Sequence, residues 1–226
     1  MGYIPIFLDV TDRECVVVGG GEVAARKVES LLEAGARVTV VSPRLSPSMQ
    51  MMVPRGLVAH IARDYQRGDI VGCVLAYAAT DDPKLHREIA AEARALGIPL
   101  NVVDVPELCT FIAPAIVKRG ALQIAISTAG ASPAFAARLR RELEDQFGPE
   151  YALTLEVLRA ARRRLHADEI DPADRMRRLK DLANSALPDA IAVGDVAAIE
   201  RILAAHLGDG VGLAALGLAR AMEIPD

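Results

Sequence analysis

Tryptophan is missing from this chain, and aromatic residues make up only 4% of its 226 residues. So few rings argue against a base-stacking platform for single-stranded nucleic acid. Positive charge is not in excess either, because the formal net charge is −4, so neither nucleic acid nor an anionic membrane is an expected partner. The longest apolar runs, such as residues 70–80, are too short to span a bilayer. These absences predict a cytoplasmic globular protein without a membrane segment.

Cysteine is scarce as well. Cys15, Cys73 and Cys109 form no Cys-x-x-Cys pair, and the first two lie in apolar, strand-like runs. We therefore expect reduced thiols in a protein core and no disulfide framework. The four histidines lack the spacing of a zinc-binding helix, so no metal site is expected. No tyrosine is followed by lysine four residues later, which disfavours a Tyr-x-x-x-Lys alcohol dehydrogenase.

The chain does contain a glycine-rich turn near its start. The apolar stretch Cys15–Gly19 breaks into Gly-x-Gly-x-x-Ala, and a helical pattern follows over residues 23–34. In this context Gly19 allows the tight turn, Gly21 lets the backbone approach a pyrophosphate, and Ala24 keeps the helix close to the sheet. The free N–H groups of the helix N-terminus then hold the pyrophosphate of NAD or a relative.

The pattern of strands and helices predicts the fold. Strands are expected at residues 15–19, 37–42, 57–62, 73–79 and 99–104, with helices at 23–34 and 84–96. This alternation predicts an α/β fold with a Rossmann-type parallel sheet. An antiparallel hairpin is predicted within 115–127, and helices follow at 133–147, 150–165, 172–186, 195–206 and 211–222. We predict three parts: a dinucleotide-binding domain (1–112), a hairpin-and-helix segment (113–148) and a helical domain (149–226).

The second strand lacks the acidic residue that commonly holds the ribose of NAD. It ends at Ser42-Pro43-Arg44, where Ser42 offers a weaker hydrogen bond. Arg44 either favours the 2′-phosphate of NADP or is a solvated surface charge.

The fourth and fifth strands end in acidic residues, at the edge where such sheets bind ligands. Thr80 and Asp81 either contact the ribose or, with Asp82, cap the next helix. Asp104 is placed as a general base that faces the cofactor, and we expect it to be partly buried. The alternative is that Asp104 closes an Asx-turn or a helix cap before Pro106.

A loop rich in hydroxyl groups and glycine precedes the helix at residue 133. Its members Ser127, Thr128, Gly130 and Ser132 form either an anion-binding turn or a plain helix cap. Basic residues cluster further along, at Arg159, Arg162, Arg163, Arg164, Arg175, Arg177, Arg178 and Lys180. They form either a solvated helix face or the wall of a site for a polycarboxylate.

Taken in order, these motifs resemble the precorrin-2 dehydrogenase family, which includes the N-terminal module of siroheme synthase and the yeast-type dehydrogenase–ferrochelatases. The resemblance covers about residues 1–147 and rests on residues 3–8, 18–27, 40–43, 78–82, 101–104, 111–115 and 126–133. It implies an NAD-dependent oxidation of precorrin-2 to sirohydrochlorin. In some members the same site also inserts a metal, so Fe²⁺ or Co²⁺ is a further implied substrate.

The resemblance also implies roles for single residues. Asp104 matches the main catalytic aspartate of the family. Glu22, Val23, Pro43 and Arg44 match positions that contact the dinucleotide. Because the family has Ser-Pro at the end of the second strand, the missing acidic residue is accounted for, and NAD is favoured over NADP.

A homodimer is implied too, with the hairpin and the following helix exchanged between subunits, which makes residues 113–148 a dimerisation segment. Thr128 matches a serine near the active site that is phosphorylated in some members. Two other functions stay open from the residues: an NAD-sensing regulatory domain without catalysis, and a Rossmann reductase that acts on another small substrate.

Overall fold

The computed structural model describes residues 2–168 and 170–219. Contacts between residues divide the chain into two compact units, with the division between Ala113 and Pro114. Within the described part of the chain, no helix is long and apolar enough to cross a membrane.

The first unit is built on a parallel sheet with the strand order β3-β2-β1-β4-β5. Its strands are β1 (Glu14–Val18), β2 (Arg37–Val41), β3 (Val58–Ile61), β4 (Leu75–Ala78) and β5 (Leu100–Val102). At the end of β1, Val18 lies beside Val41 of β2 and Ala78 of β4. This order confirms the predicted Rossmann-type sheet. It also puts the topological switch between β1 and β4, where such sheets bind their ligands.

Helices cover both faces of the sheet, so successive side chains of a strand enter different cores. The helices are α1 (Glu22–Glu33), α2 (Pro47–Gln50) and α3 (Pro83–Leu96). Val17 packs with residues of α1 and α2, whereas Val16 and Val18 pack with residues of α3. Cys15 and Cys73 are buried free thiols, as predicted, and burial raises the pKa of Cys15 to about 11.

The second unit begins with an antiparallel hairpin and continues with helices. The elements are β6 (Ala115–Arg119), β7 (Leu122–Ile126), α4 (Pro133–Gln146), α5 (Glu150–Ala167), α6 (Pro172–Ala183), α7 (Leu187–Ala192) and α8 (Val196–Leu207). Apolar residues of α5 to α8 form one core, with Leu165, Leu182 and Leu203 fully buried. The predicted boundary between residues 148 and 149 stays a prediction.

One helix prediction for this unit is wrong, and one short helix was not predicted. The helix predicted over 172–186 ends at Ala183, and a separate short helix, α7, follows it. Pro188 lies in the first turn of α7, where its missing N–H is not needed, so this proline begins a helix and does not interrupt one. Residues 212–217 form turns and no helix, and the left-handed backbone of Gly217 is consistent with that. The remainder of that prediction, 220–222, lies outside the described residues.

Candidate functional site

Two glycines of the turn after β1 are required by close backbone contacts. Gly19 has φ +122°, and a Cβ there would lie 2.0 Å from the carbonyl oxygen of Ala79. A Cβ on Gly20 would lie 1.9 Å from the carbonyl oxygen of Arg44. Neither position tolerates a side chain, because the segments after β4 and β2 press directly on the turn.

Gly21, by contrast, faces open space. A Cβ there would meet no atom within 4 Å, and Gly21 is the N-cap of α1 without a side-chain hydrogen bond to the helix. The other two helices of this unit are capped by the side chains of Ser46 and Asp82. The first-turn N–H groups of α1 are therefore available for an external anion.

The segment that follows β2 is fastened to the glycine turn. The buried Ser42 hydroxyl donates to the carbonyl oxygen of Arg44 at 2.7 Å, and His60 Nε2 lies 2.9 Å from the carbonyl oxygen of Ser42. The N–H of Ser46 donates to the carbonyl oxygen of Gly20 at 2.7 Å. Because the Ser42 hydrogen is already used, a ribose at this strand end meets mainly backbone groups of residues 43–44.

The residues after β4 have two roles: Asp82 caps the next helix, and Thr80 and Asp81 line the cleft. Asp82 Oδ1 accepts hydrogen bonds from the N–H groups of Lys84 and Leu85 at 2.8 and 3.3 Å, which is the predicted helix cap. His86, which sequence reasoning did not single out, is buried and its Nε2 lies 2.9 Å from the carbonyl oxygen of Thr80. This bond holds the start of the segment that contains Asp81.

Asp104 follows β5 in a left-handed backbone conformation, with φ +60°. Its side chain accepts no hydrogen bond from the described residues, and the 3₁₀ turn Pro106–Leu108 begins at Val105 without a side-chain cap. The capping alternative is therefore not what the structure shows. Asp104 is exposed in the cleft, in the turn directly after the strand, and is not partly buried as expected. A non-glycine residue in this conformation is strained, and such residues concentrate at functional sites.

Two side chains that sequence reasoning missed hold the strand before Asp104. Val102 N–H donates to Cys109 Sγ at 3.2 Å, and the Cys109 thiol is within 3.4 Å of the carbonyl oxygen of Val105. Leu100 N–H donates to Thr110 Oγ1 at 2.8 Å. Since β5 is the outer strand of the sheet, these side chains satisfy backbone groups that no further strand would reach.

One cleft of about 1320 Å³ in the first unit brings most of the predicted residues together. Its lining includes Gly19, Gly21, Glu22, Val23, Ser42, Pro43, Arg44, Thr80, Asp81 and Asp104. Ala24 does not line it, because this residue is fully buried between α1 and the sheet, which is the packing role predicted for it. The cleft is large enough for a dinucleotide.

The predicted substrate loop lies in the second unit and is bonded to itself. The N–H of Ser132 donates to Thr128 Oγ1 at 3.2 Å, and Ser127 Oγ accepts from the N–H of Ala129 at 3.0 Å. Ser132 Oγ accepts from the N–H of Phe135 and caps α4. Gly130 has φ +85° in this turn. Helix capping is therefore present, and the role of the loop in substrate binding stays a prediction.

The first unit fits a dinucleotide: the space over Gly21 is open, the N-terminus of α1 is uncapped, and the cleft runs past three strand ends. Metal ligands are not clustered in the same way. Within residues 2–168 and 170–219, no group of three or more His, Cys, Asp or Glu side chains is placed to hold a metal ion.

Comparison with known proteins agrees with this site. Residues 6–115 match NAD_binding_7, an NAD(P)-binding family, and residues 119–146 match the family described as sirohaem biosynthesis protein central. A siroheme synthase of Pseudomonas aeruginosa is 40% identical over 219 residues, which are 96% of this chain and 47% of that protein. The chain is thus similar, over nearly its whole length, to about half of a siroheme synthase. Its first unit matches a nicotinamide-dinucleotide-binding family.

Other proteins that are similar to this chain include a second siroheme synthase and a solved structure. A siroheme synthase of Methylobacillus flagellatus is 49% identical over 144 residues, 64% of this chain and 31% of that protein. The chain spans about half the length of the longer-matching siroheme synthases. Among solved structures, "SirC, precorrin-2 dehydrogenase" has a similar fold, with a TM-score of 0.70 and 24% identity over 84% of this chain and 94% of that chain.

Proposed function

We propose that this protein oxidises precorrin-2 to sirohydrochlorin, with NAD as the hydride acceptor. The observation that carries the proposal is a single cleft lined both by the open Gly21 turn and by the unbonded carboxylate of Asp104. The first suits a pyrophosphate and the second suits removal of a proton. Similarity to siroheme synthases supports a tetrapyrrole as the substrate.

Asp104 takes the proton in this reaction. The oxidation removes two hydrogens, of which one leaves as a hydride and the other as a proton. NAD, when bound in the cleft, would supply the acceptor for the hydride. The Asp104 carboxylate accepts the proton, because it lines the cleft and neither of its oxygens is bonded by the described residues. Its turn after β5 holds the carboxylate at the cleft.

Residues along the other strand ends bind the cofactor. The N–H groups of Glu22 and Val23 bind the pyrophosphate, and the backbone at Pro43 and Arg44 binds the adenosine ribose. The fastened segment after β2 supports this assignment, since it needs no carboxylate to present its backbone. Thr80 and Asp81, which follow β4 and line the same cleft, complete the proposed cofactor contacts.

The preference for NAD over NADP is tested through Arg44, which is exposed at the end of β2. We expect NAD to bind more tightly than NADP, and Arg44→Ala to leave NAD binding nearly unchanged. Tighter binding of NADP that is lost in Arg44→Ala would show that this guanidinium binds a 2′-phosphate.

A homodimer is the proposed assembly. Ile116 on β6 and Phe135 on α4 are 46% and 48% exposed in the single chain, in the segment that the resemblance implies is exchanged. Light scattering should give twice the mass of the chain, and Ile116→Asp should shift the protein toward the monomer. Metal insertion into sirohydrochlorin, with Fe²⁺ or Co²⁺ as substrate, stays a prediction.

The direct test is anaerobic incubation of the protein with precorrin-2, with and without NAD, followed by the absorbance of sirohydrochlorin. We expect product only when NAD is present. Addition of Fe²⁺ or Co²⁺ to the same sample then tests metal insertion. If NAD binds but no product forms, the proposal is wrong and a regulatory NAD-binding domain is the better account.

A further inference from the structure

Lys27 occupies an unusual place on α1. The helix buries Ala24, Val28 and Leu31 against the sheet, and Lys27 lies on the same side, three residues after Ala24. Its side chain is half-buried, and Nζ lies 5.5 Å from the centroid of the Tyr77 ring. A cation therefore sits where the helix would ordinarily place an apolar residue.

No carboxylate of the described residues forms an ion pair with this cation. Within the described residues, Lys27 Nζ has neither a carboxylate at ion-pair distance nor a hydrogen-bond acceptor. Two other partly buried cations are paired: Arg63 with Asp69 at 2.7 Å, and Arg178 with Asp174 at 2.7 Å. Burial and the neighbouring Arg26 lower the pKa of Lys27, and the charge of Asp104 opposes this. A half-buried charge with unused donors is unfavourable for folding, which suggests a role in binding.

Tyr77 adds a second unused donor at the same place. The residue is 9% exposed, and its hydroxyl, which stays accessible to solvent, has no hydrogen-bond partner in the described part of the chain. Burial raises the pKa of Tyr77 to about 12, so the hydroxyl keeps its proton at neutral pH. Lys27 and Tyr77 thus present hydrogen-bond donors to the same neighbourhood.

The neighbourhood continues to Asp104. Tyr77 is in register with Asn101 of β5, so both side chains lie on the face that α1 covers. Asn101 Nδ2 donates to the carbonyl oxygen of Phe111 at 3.1 Å, and the Phe111 ring packs edge-on against Tyr77 at 5.5 Å. Asp104 follows Asn101 by three residues and is close enough for its charge to act on Lys27.

We propose that Lys27 and Tyr77, the cation–phenol pair, bind a carboxylate of the tetrapyrrole beside Asp104. This inference rests on the proposed function. The ammonium and the hydroxyl supply donors for one carboxylate, and the Tyr77 ring holds the ammonium in place. Neither residue lines the cleft that contains Gly21 and Asp104, so the pair would bind a part of the substrate that extends beyond that cleft.

The test replaces Lys27 by methionine, which keeps the length of the side chain and removes its charge. We expect Lys27→Met to raise the KM for precorrin-2 by ~10- to 100-fold, the loss of a charge-assisted hydrogen bond, with kcat within about twofold. The Kd for NAD should not change. Lys84→Met, on an exposed residue of α3, is the matched control and should change neither constant. Lys27→Arg should recover most of the loss, and Tyr77→Phe should raise KM by ~3- to 10-fold.

A rise in KM in this variant would not result from a loss of folding stability. Because an uncompensated charge is removed, Lys27→Met should melt at the same temperature as the wild-type protein or higher. A wild-type KM in Lys27→Met would overturn the proposal. So would an equal loss of NAD affinity, because the lysine would then serve the cofactor.

Binding of sirohydrochlorin without NAD separates this proposal from the proposed function. If the wild-type protein is an active dehydrogenase and Lys27→Met binds sirohydrochlorin equally well, only the cation–phenol pair is refuted. If the wild-type protein does not oxidise precorrin-2 but loses sirohydrochlorin affinity on Lys27→Met, the pair is supported and the oxidation is refuted.

Discussion

The ends of β2 and β5 lie at the same edge of one sheet but are held in different ways. β2 has a neighbour on each side, and the segment after it is fixed by bonds to backbone carbonyls, including that of Gly20. β5 has a neighbour on one side only, so the side chains of Cys109 and Thr110 bond its outer edge. At the end of β2, two side chains and one N–H bond carbonyl oxygens of the turn and of the segment itself, whereas the outer edge of β5 is bonded by side chains that come from the chain after it.

The largest effect is expected from a substitution in the glycine turn that contacts the segment after β2. In Gly20→Ala the new Cβ would lie 1.9 Å from the carbonyl oxygen of Arg44, so residues 42–46 must move. We expect a loss of about 1–3 kcal/mol in stability and a weakening of NAD binding by up to ~100-fold. Thermal melting and NAD titration measure the two effects.

Gly21→Ala is the control for this variant. Its Cβ would meet nothing within 4 Å, so the melting temperature should stay near that of the wild-type protein while NAD affinity falls. Wild-type NAD affinity in Gly20→Ala would show that the segment after β2 does not shape the cofactor site.

Two further variants, one at each of these strand ends, should have smaller effects on different constants. Thr110→Val leaves the buried N–H of Leu100 without its acceptor, which should disturb the turn at Asp104. We expect kcat to fall ~10-fold while the Kd for NAD is unchanged. Ser42→Ala frees the carbonyl oxygen of Arg44 at the other end and should weaken NAD binding ~3- to 10-fold while kcat is unchanged. If both variants alter the same constant, the two ends do not have separate roles.

The smallest effect is expected away from both strand ends. Asp69 accepts two hydrogen bonds from Arg63 at 2.7 Å and one from the N–H of Gln66, and the Arg63 bonds lower its pKa most. Since the pKa is depressed in the folded state, the stabilisation is present above the unfolded value of about 4 and is lost as pH falls through the folded pKa.

Asp69→Asn should therefore lower the melting temperature by a few degrees at pH 7, with the difference from the wild-type protein shrinking below about pH 4. Neither kcat nor the Kd for NAD should change. Glu29→Gln, on the exposed face of α1, should give no such pH-dependent difference. A difference that persists unchanged at low pH would mean that the Asp69 charge is not responsible.

The sheet could be predicted because its signals are local. Apolar runs of β-branched residues mark the strands, and the Gly-x-Gly-x-x-Ala pattern between a strand and a helix marks the turn. The short helix α7 was missed because a proline in a sequence can mark either the end of one helix or the beginning of the next.

The parts of the site that were missed depend on contacts across the chain. Cys109 and Thr110 act on β5 from several residues away, and no spacing rule connects them. Gly20 sits at a variable position of the fingerprint, and only the path of residues 42–46 explains it. The position of Lys27 could have been predicted, because helical spacing places it on the buried side of α1.

The most direct test of the account is a single turnover of precorrin-2 by NAD-loaded wild-type protein and Asp104→Asn. The amide keeps the size of the carboxylate but is not a base. We predict that sirohydrochlorin formation slows by ~10²- to 10⁴-fold while NAD affinity is unchanged. An equal rate in the two proteins would contradict the assignment of proton removal to the end of β5.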